Sequence, residues 1–329
     1  MGGTRWSDDH YKDRATLRAA TGKPTFAYDD AMRSKPASAR KVNDLLNPFG
    51  VKFRESRDSE AHPESLAIGV LFDETGSMSS VPGKFQLALP QLMGLLMRKG
   101  VVEHPQVLFG AFGDATPDRP SPEIAPLQVG QFESGIEMED CLTNIYLEGQ
   151  GGGQNTESYE LAMYFMARHT ALDCFEKRNK RGYLFLTGDE LYYPAVKAEE
   201  VKRIIGDSIQ DDIPTPDIMK ELENSYDVYF LIPYGTNHYD ASWLMEGWQR
   251  LLGQQVLRLD DPSAISEVVA STISLAEGYD MDTVARNLED AGVSKDRCGS
   301  ITKALVPLAD FAGRKIVKGS VVGTGLARV

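Results

Sequence analysis

Residues 66–78 read LAIGVLFDETGSM, an apolar run of strand length that ends in a polar turn. The first seven residues are continuously apolar, and a strand of that kind is typically buried on both faces, as in a parallel sheet. The turn places Asp73, Thr75 and Ser77 at alternate positions, so one carboxylate and two hydroxyls can face a common point. We therefore expect a parallel sheet with a polar site where this strand ends.

The same pattern of apolar runs recurs along the chain. Further apolar runs of strand length occur at 107–113, 127–132, 183–187, 226–233 and 255–259. Segments with helical character lie between or after them, at 83–98, 135–147, 157–172, 195–205, 216–225, 241–252 and 262–277. Buried strands that alternate with helices predict an α/β fold: a doubly wound, mostly parallel central sheet with helices on both faces.

Composition divides the chain into three parts. Residues 1–64 are polar and nearly neutral, and we interpret them as an arm that wraps the main domain or reaches a partner. Short helices are plausible there near 7–20 and 37–46. Residues 65–278 carry the alternating strands and helices. Residues 279–329 are expected to form a small helical extension with a basic tail, which is either flexible or an edge strand after residue 311.

Overall charge and residue usage exclude several classes of function. The net charge of −13 weighs against binding to nucleic acid or to an anionic membrane. No apolar run is long enough to span a bilayer, and the N-terminus lacks the apolar core of a signal peptide, so we expect a cytoplasmic protein. The three cysteines and five histidines are scattered, which suggests neither a zinc site nor histidine-based catalysis.

Two other predicted strand ends and loops are also polar. A glycine-rich loop at 151–156 precedes a helix, and Thr187-Gly188-Asp189 follows the strand at 183–187. Open α/β sheets place their functional groups at the carboxyl ends of strands, so these segments are expected to meet the turn after residue 72. Hydroxyl, carboxylate and water oxygens together suit a hard cation such as Mg²⁺.

These segments resemble, in order and placement, the metal-ion-dependent adhesion site (MIDAS) of von Willebrand factor type A (vWA) domains. Asp73-Glu74-Thr75-Gly76-Ser77-Met78 is similar to the first motif of that family, and the likeness extends over about residues 65–275. The resemblance implies a vWA/Rossmann-like fold and a bound Mg²⁺, or alternatively Mn²⁺ or Ca²⁺.

The resemblance also implies roles for individual residues. Thr75 and Ser77 would be direct hydroxyl ligands, while Asp73 and Asp189 would act directly or through water. The ligand from the glycine-rich loop stays open, because alignment of the glycines selects Gln154 and hydroxyl chemistry selects Thr156. The partner would be a protein that supplies an acidic ligand, and prokaryotic or phage members of the family suggest an AAA+ ATPase.

Other interpretations of the same residues remain. Asp73, Ser77 and Asp189 could simply cap the helices that follow them, and Glu74 is expected to face solvent. A metal-dependent phosphoryl-transfer hydrolase also has an aspartate after its first strand, but it normally has a second acid two residues later, where this chain has Thr75. Nucleotide-binding glycine motifs are absent from the sequence.

Overall fold

A computed structural model describes residues 26–98, 100–116, 123–149 and 155–319, together with Thr16. Its strands are β1 Arg54–Ser56, β2 Leu66–Asp73, β3 Pro105–Phe112, β4 Leu127–Val129, β5 Thr156–Glu157, β6 Thr170–Leu172, β7 Gly182–Thr187, β8 Leu191–Tyr192, β9 Ala195–Val196, β10 Ile213–Pro214, β11 Tyr226–Pro233 and β12 Val256–Leu259. Its α-helices are α1 Ala27–Arg33, α2 Val81–Ala88, α3 Leu92–Arg98, α4 Glu137–Thr143, α5 Tyr159–Arg168, α6 Asp173–Arg178, α7 Ala198–Glu200, α8 Thr215–Ser225, α9 Ser242–Leu252, α10 Ile265–Ala276, α11 Met281–Asp290 and α12 Lys295–Gly319.

A six-stranded sheet lies at the centre, in the spatial order β12–β11–β7–β2–β3–β4. Its neighbouring strands are parallel except for β3 and β4, which are antiparallel. The prediction of a central, mostly parallel sheet in a mixed α/β fold is therefore confirmed. The chain passes from β2 to β3 and β4 on one side, then to β7, β11 and β12 on the other, so the strand order reverses between β2 and β7.

Continuous burial explains why the apolar runs form the inner strands. All eight residues of β2 and all eight of β3 are buried, as expected for strands covered on both faces. The predicted strand ends differ from the observed ones by a few residues, chiefly at β4, which stops at Val129. These strands place the polar turn after β2 at the carboxyl edge of the sheet.

Several predicted helices are shorter or interrupted. The helix expected at 83–98 is divided by a 3₁₀ turn at Leu89–Gln91, because Pro90 has no N–H to continue an α-helical ladder. The helix expected at 135–147 is limited to α4. The segment at 157–172 contains α5 and the short strand β6, and 195–205 begins as β9 before α7 and a π-helical turn at Val201–Ile205.

The described part of the arm packs on the rest of the chain. Met32 and Leu46 are buried, and β1 pairs in parallel with β6. The prediction of a helix at 37–46 is wrong, since only a 3₁₀ turn forms at Ala37–Ala39. The helix predicted at 7–20 lies outside the described residues except for Thr16.

The C-terminal part is helical, as expected. Helix α11 agrees with a helix that the sequence predicts at 282–291, whereas α12 is much longer than the helix predicted at 299–309 and runs to Gly319. The first residues of the expected basic tail therefore belong to a helix and not to an edge strand, and residues 320–329 lie outside the description. No helix in the described part of the chain is long and apolar enough to cross a membrane.

Candidate metal centre

The turn after β2 holds three of the predicted ligands within hydrogen-bond distance of one another. Asp73 Oδ1 accepts from the Thr75 backbone N–H at 2.8 Å and from the Thr75 hydroxyl at 2.6 Å. Thr75 Oγ1 lies 3.1 Å from Ser77 Oγ. An aspartate that bonds the backbone two residues on is a local turn-forming device, which explains how alternating positions come to share one side of the turn.

The loop after β7 completes this group. Strand β7 is the parallel neighbour of β2, and the Ser77 hydroxyl donates to Asp189 Oδ1 at 2.7 Å. Oxygens of Asp73, Thr75, Ser77 and Asp189 thus follow one another at 2.6, 3.1 and 2.7 Å. Adjacent ligands of an octahedral Mg²⁺ with bonds of 2.0–2.1 Å lie roughly 3 Å apart, so the spacing of these oxygens fits such an ion.

The charge of the two carboxylates also favours a bound cation. Asp73 and Asp189 are both fully buried. Burial and the neighbouring Asp189 carboxylate raise the pKa of Asp73. Within the described residues no Lys or Arg pairs with either carboxylate, and the nearest basic group is His238 Nδ1, 3.6 Å from Asp189 Oδ2. Two buried like charges are costly, and a divalent cation would offset that cost.

The glycine-rich segment is described only from residue 155 onward. Gln154 lies outside the described residues. Thr156 is in β5, which pairs with β8, and its hydroxyl interacts with the Tyr193 hydroxyl. Among the described residues no hydrogen bond joins Thr156 to Asp73, Ser77 or Asp189, and Thr156 stays a predicted ligand.

Tyr159, at the start of α5, contacts the site and was not predicted. Its hydroxyl donates to Asp73 Oδ2 at 3.0 Å and accepts from the Glu190 backbone N–H at 3.3 Å. The close approach depends on Gly188, because a Cβ there would lie 1.9 Å from the Tyr159 hydroxyl. Both oxygens of Asp73 are therefore held by hydroxyl donors.

Two more acids are buried beside the site. The expectation that Glu74 faces solvent is wrong: it is 2% exposed, and its Oε2 accepts from the Gly149 backbone N–H at 3.0 Å. Burial and the nearby Glu123 raise its pKa. Burial and Asp73 likewise raise the pKa of Glu157, the second residue of β5. The sequence gives only a weak signal for Glu74 and Glu157, namely an acid next to an apolar strand or a glycine-rich loop.

The loop after β11 reaches both halves of the site. The Asn237 backbone N–H donates to the Ser77 carbonyl at 3.1 Å, and that of His238 donates to Asp189 Oδ2 at 3.1 Å. His238 Nδ1 lies 3.1 Å from the Asp189 carbonyl oxygen. This contact was missed because His238 is 49 residues from Asp189 and belongs to no recognisable motif.

The candidate metal centre does not consist of carboxylate and histidine groups alone. Among the described residues, no group of three or more His, Cys, Asp or Glu side chains is arranged so that it could hold a metal ion. The candidate centre differs in composition, since it combines the two carboxylates of Asp73 and Asp189 with the hydroxyls of Thr75 and Ser77.

Comparison with known proteins shows only distant likeness. No family model matches the chain, and neither does any curated protein. The pilus adhesin SpaC from Lactobacillus rhamnosus GG, in its open conformation, is 11% identical with a TM-score of 0.43 and covers 70% of this chain and 31% of its own. Proximal thread matrix protein 1 (PTMP1) from the mussel byssus is 13% identical with a TM-score of 0.38 and covers 64% and 48%.

The matched regions amount to less than half of either structure's own length. Likenesses at these identities and TM-scores carry no argument about what this chain does.

Proposed function

We propose that this chain is a protein-binding module that engages an acidic residue of a partner through a divalent cation. Asp73, Thr75, Ser77 and Asp189 would hold the cation, with Mg²⁺ the first choice and Mn²⁺ or Ca²⁺ as alternatives. In this proposal residues 65–278 form a doubly wound vWA-like domain with helices on both faces, and the site corresponds to its MIDAS.

The observation that carries the proposal is the run of four oxygens across the ends of β2 and β7. Their spacing suits neighbouring ligands of one octahedral ion, and the two carboxylates among them are buried with no lysine or arginine partner in the described chain. Helix capping alone does not require two fully buried carboxylates in one hydrogen-bonded group. The position between β2 and β7 also agrees, because ligands of open α/β sheets bind where the strand order reverses.

Each residue has a distinct part in this function. When bound, the cation would offer an open coordination position to a carboxylate from the partner. Thr75 and Ser77 supply neutral oxygens, so the group keeps a low negative charge and leaves the cation able to attract that carboxylate. The Tyr159 hydroxyl and the His238 N–H hold the outer oxygens of Asp73 and Asp189 and so orient the inner ones.

The partner is proposed to be a protein, such as an AAA+ ATPase, on the basis of the family resemblance. The net charge of −13 would repel an acidic partner at long range, so binding of that kind needs a local positive charge, which the cation supplies. A cytoplasmic location and the absence of nucleic-acid and membrane binding belong to the same proposal.

Isothermal titration calorimetry with Mg²⁺ and Mn²⁺ tests the site directly. We expect one cation per chain in the wild type and no measurable binding in Asp73→Ala or Ser77→Ala. Ser80→Ala is the matched control, because Ser80 is exposed and its side chain makes no capping hydrogen bond. A wild-type protein that binds neither cation, or a Ser77→Ala variant that binds normally, would refute the proposal.

The hydrolase alternative is tested separately with a generic aryl phosphate. No observation on the described residues favours the hydrolase over the binding module, and the sequence has Thr75 where such a hydrolase normally has its second acid. We expect no turnover. Turnover that is abolished by Asp73→Asn would establish the enzyme and overturn the binding module.

A further inference from the structure

The loop at residues 234–241, here called the histidine loop, joins the two halves of the candidate centre. It leaves β11 and ends at α9, and it contacts the turn after β2 through Asn237 and the loop after β7 through His238. The motifs recognised in the sequence include no residue of this loop. A segment that contacts both halves can control how the two halves are held together.

The histidine loop is itself anchored at its far end. Arg258 in β12 donates to the Tyr239 carbonyl at 2.6 Å, and its guanidinium lies 4.8 Å from the centre of the Tyr239 ring. The Tyr239 hydroxyl donates to Asp260, and the Tyr234 ring meets the Tyr239 ring edge to face at 5.2 Å. The backbone of the loop is thus supported from the neighbouring strand β12.

His238 makes two contacts with one ligand residue. Its backbone N–H donates to Asp189 Oδ2, and its ring Nδ1 lies 3.1 Å from the Asp189 carbonyl oxygen. Because a carbonyl oxygen only accepts, Nδ1 carries the proton and donates. The ring is also packed against Trp243, with centroids 5.2 Å apart, so its orientation is constrained.

We propose that His238 is a positioning residue for Asp189 in the cation site, an inference that rests on the proposed function. With Oδ2 bonded to the His238 N–H and Oδ1 bonded to Ser77, the Asp189 carboxylate cannot rotate without losing a hydrogen bond. The ring contact holds the His238 backbone against Asp189, so it preserves the N–H bond. His238 thereby presents Asp189 Oδ1 to the cation without being a ligand itself.

The size of the effect follows from other metal sites. Partners that orient ligands from outside the coordination sphere commonly contribute about 10-fold to 100-fold in metal affinity. Because the backbone N–H of residue 238 survives any side-chain change other than proline, loss of the ring removes part of this effect. We therefore expect the low end of that range.

The experiment measures Mg²⁺ and Mn²⁺ affinity of the full chain by calorimetry. We expect binding by His238→Ala to weaken about 10-fold, and binding by His238→Asn to stay within about 3-fold of the wild type, because the asparagine amide can donate from the place of Nδ1. His104→Ala is the control. His104 directly precedes the amino end of β3, whereas the candidate centre lies at the carboxyl ends of β2 and β7. Melting of wild type, His238→Ala and His238→Asn in EDTA separates a loss of cation affinity from a loss of stability.

The outcomes separate the two proposals. If the wild type binds no cation, the proposed function falls and this inference falls with it. If the wild type binds and His238→Ala binds equally well, only the positioning role is refuted. A His238→Asn variant as weak as His238→Ala would also refute it, because the hydrogen bond would then not be the source of the effect.

Discussion

Two pairs of aspartates lie near opposite ends of β2, and they are surrounded differently. Near the amino end, Asp58 accepts from Arg178 at 2.8 Å and from Lys177 at 3.2 Å. Asp173 pairs with Arg57 at 2.9 Å and with Lys177 at 2.6 Å. These carboxylates belong to an ion-pair network that links the arm to α6.

Near the carboxyl end, Asp73 and Asp189 contact hydroxyls and backbone N–H groups, and no lysine or arginine in the described chain pairs with them. The pKa values diverge accordingly. Although burial raises it, hydrogen bonds from Arg178, Ser65 and Lys177 bring the pKa of Asp58 far below its usual value. Burial and Asp189 raise the pKa of Asp73.

This contrast separates acids whose charge is offset by basic partners from acids that have none among the described residues. Removing one partner of a paired carboxylate leaves the other charge uncompensated, which destabilises the fold. For the two aspartates near the carboxyl end, we propose that a cation would supply the missing positive charge. The comparison therefore predicts opposite responses of the two ends to mutation, to pH and to Mg²⁺.

The largest expected effect is on stability. Asp58→Asn should lower the free energy of unfolding by about 2 kcal/mol, between the values for exposed and buried ion pairs, because it leaves Arg178 and Lys177 without their shared partner. In EDTA, Asp73→Asn should cost much less, since no lysine or arginine among the described residues loses a partner. Urea unfolding in EDTA measures both. Equal losses in the free energy of unfolding for the two variants would contradict the expected difference between the two ends of β2.

Packing at the carboxyl end gives the next effect. Gly188→Ala should destabilise the cation-free protein by about 1–2 kcal/mol, because the new Cβ meets the Tyr159 hydroxyl. Adding Tyr159→Phe should recover part of the loss. Gly83→Ala is the control, as a Cβ in that helix meets nothing within 4 Å. Thermal unfolding of the four proteins checks this, and a neutral Gly188→Ala would show that the Tyr159 hydroxyl does not lie this close to residue 188.

The pH response should have opposite signs at the two ends. Because the folded-state pKa of Asp73 is raised above 3.8, the folded protein keeps a proton that the unfolded chain releases, and stability falls as pH rises above that value. For Asp58, whose pKa is lowered, stability is lost only as pH falls below 3.8.

Between about pH 5 and about pH 8, the cation-free protein should therefore lose stability. Each unit by which the folded-state pKa of Asp73 is raised within that interval corresponds to a loss of about 1 kcal/mol in the free energy of unfolding. Asp73→Asn and saturating Mg²⁺ should each reduce the decline, and the remainder is expected from Glu74 and Glu157, whose pKa values are also raised. Melting temperatures across this range, with EDTA or Mg²⁺, provide the measurement. A stability that rises with pH in EDTA would contradict the assignment.

The smallest effect concerns Thr156. Thr156→Val should leave Mg²⁺ affinity within about 2-fold of the wild type, because its hydroxyl interacts with Tyr193 and not with the candidate ligands. Thr75→Val is the matched comparison and should abolish measurable binding. Calorimetry of both variants suffices, and a loss of about 10-fold or more in Thr156→Val would return this threonine to the ligand set.

Local sequence patterns predict the inner strands and the first three residues of the candidate centre. Continuous apolar runs predict β2, β3, β7 and β11 because burial on both faces demands apolar side chains at every position. The alternating Asp73, Thr75 and Ser77 are a local pattern, and a local turn suffices to join them. Asp189 could be predicted to lie beside them, because the carboxyl ends of neighbouring parallel strands meet at the same edge of the sheet.

The distant groups that contact the candidate centre could not be predicted, because they come from tertiary packing. It placed Tyr159 and His238 against Asp73 and Asp189, buried Glu74, and directed Thr156 toward Tyr193. Each of these contacts depends on the packing of a helix or loop against a strand end, which no periodicity within one segment encodes. Side-chain identity near a motif indicates candidates, but distances across the sheet select among them.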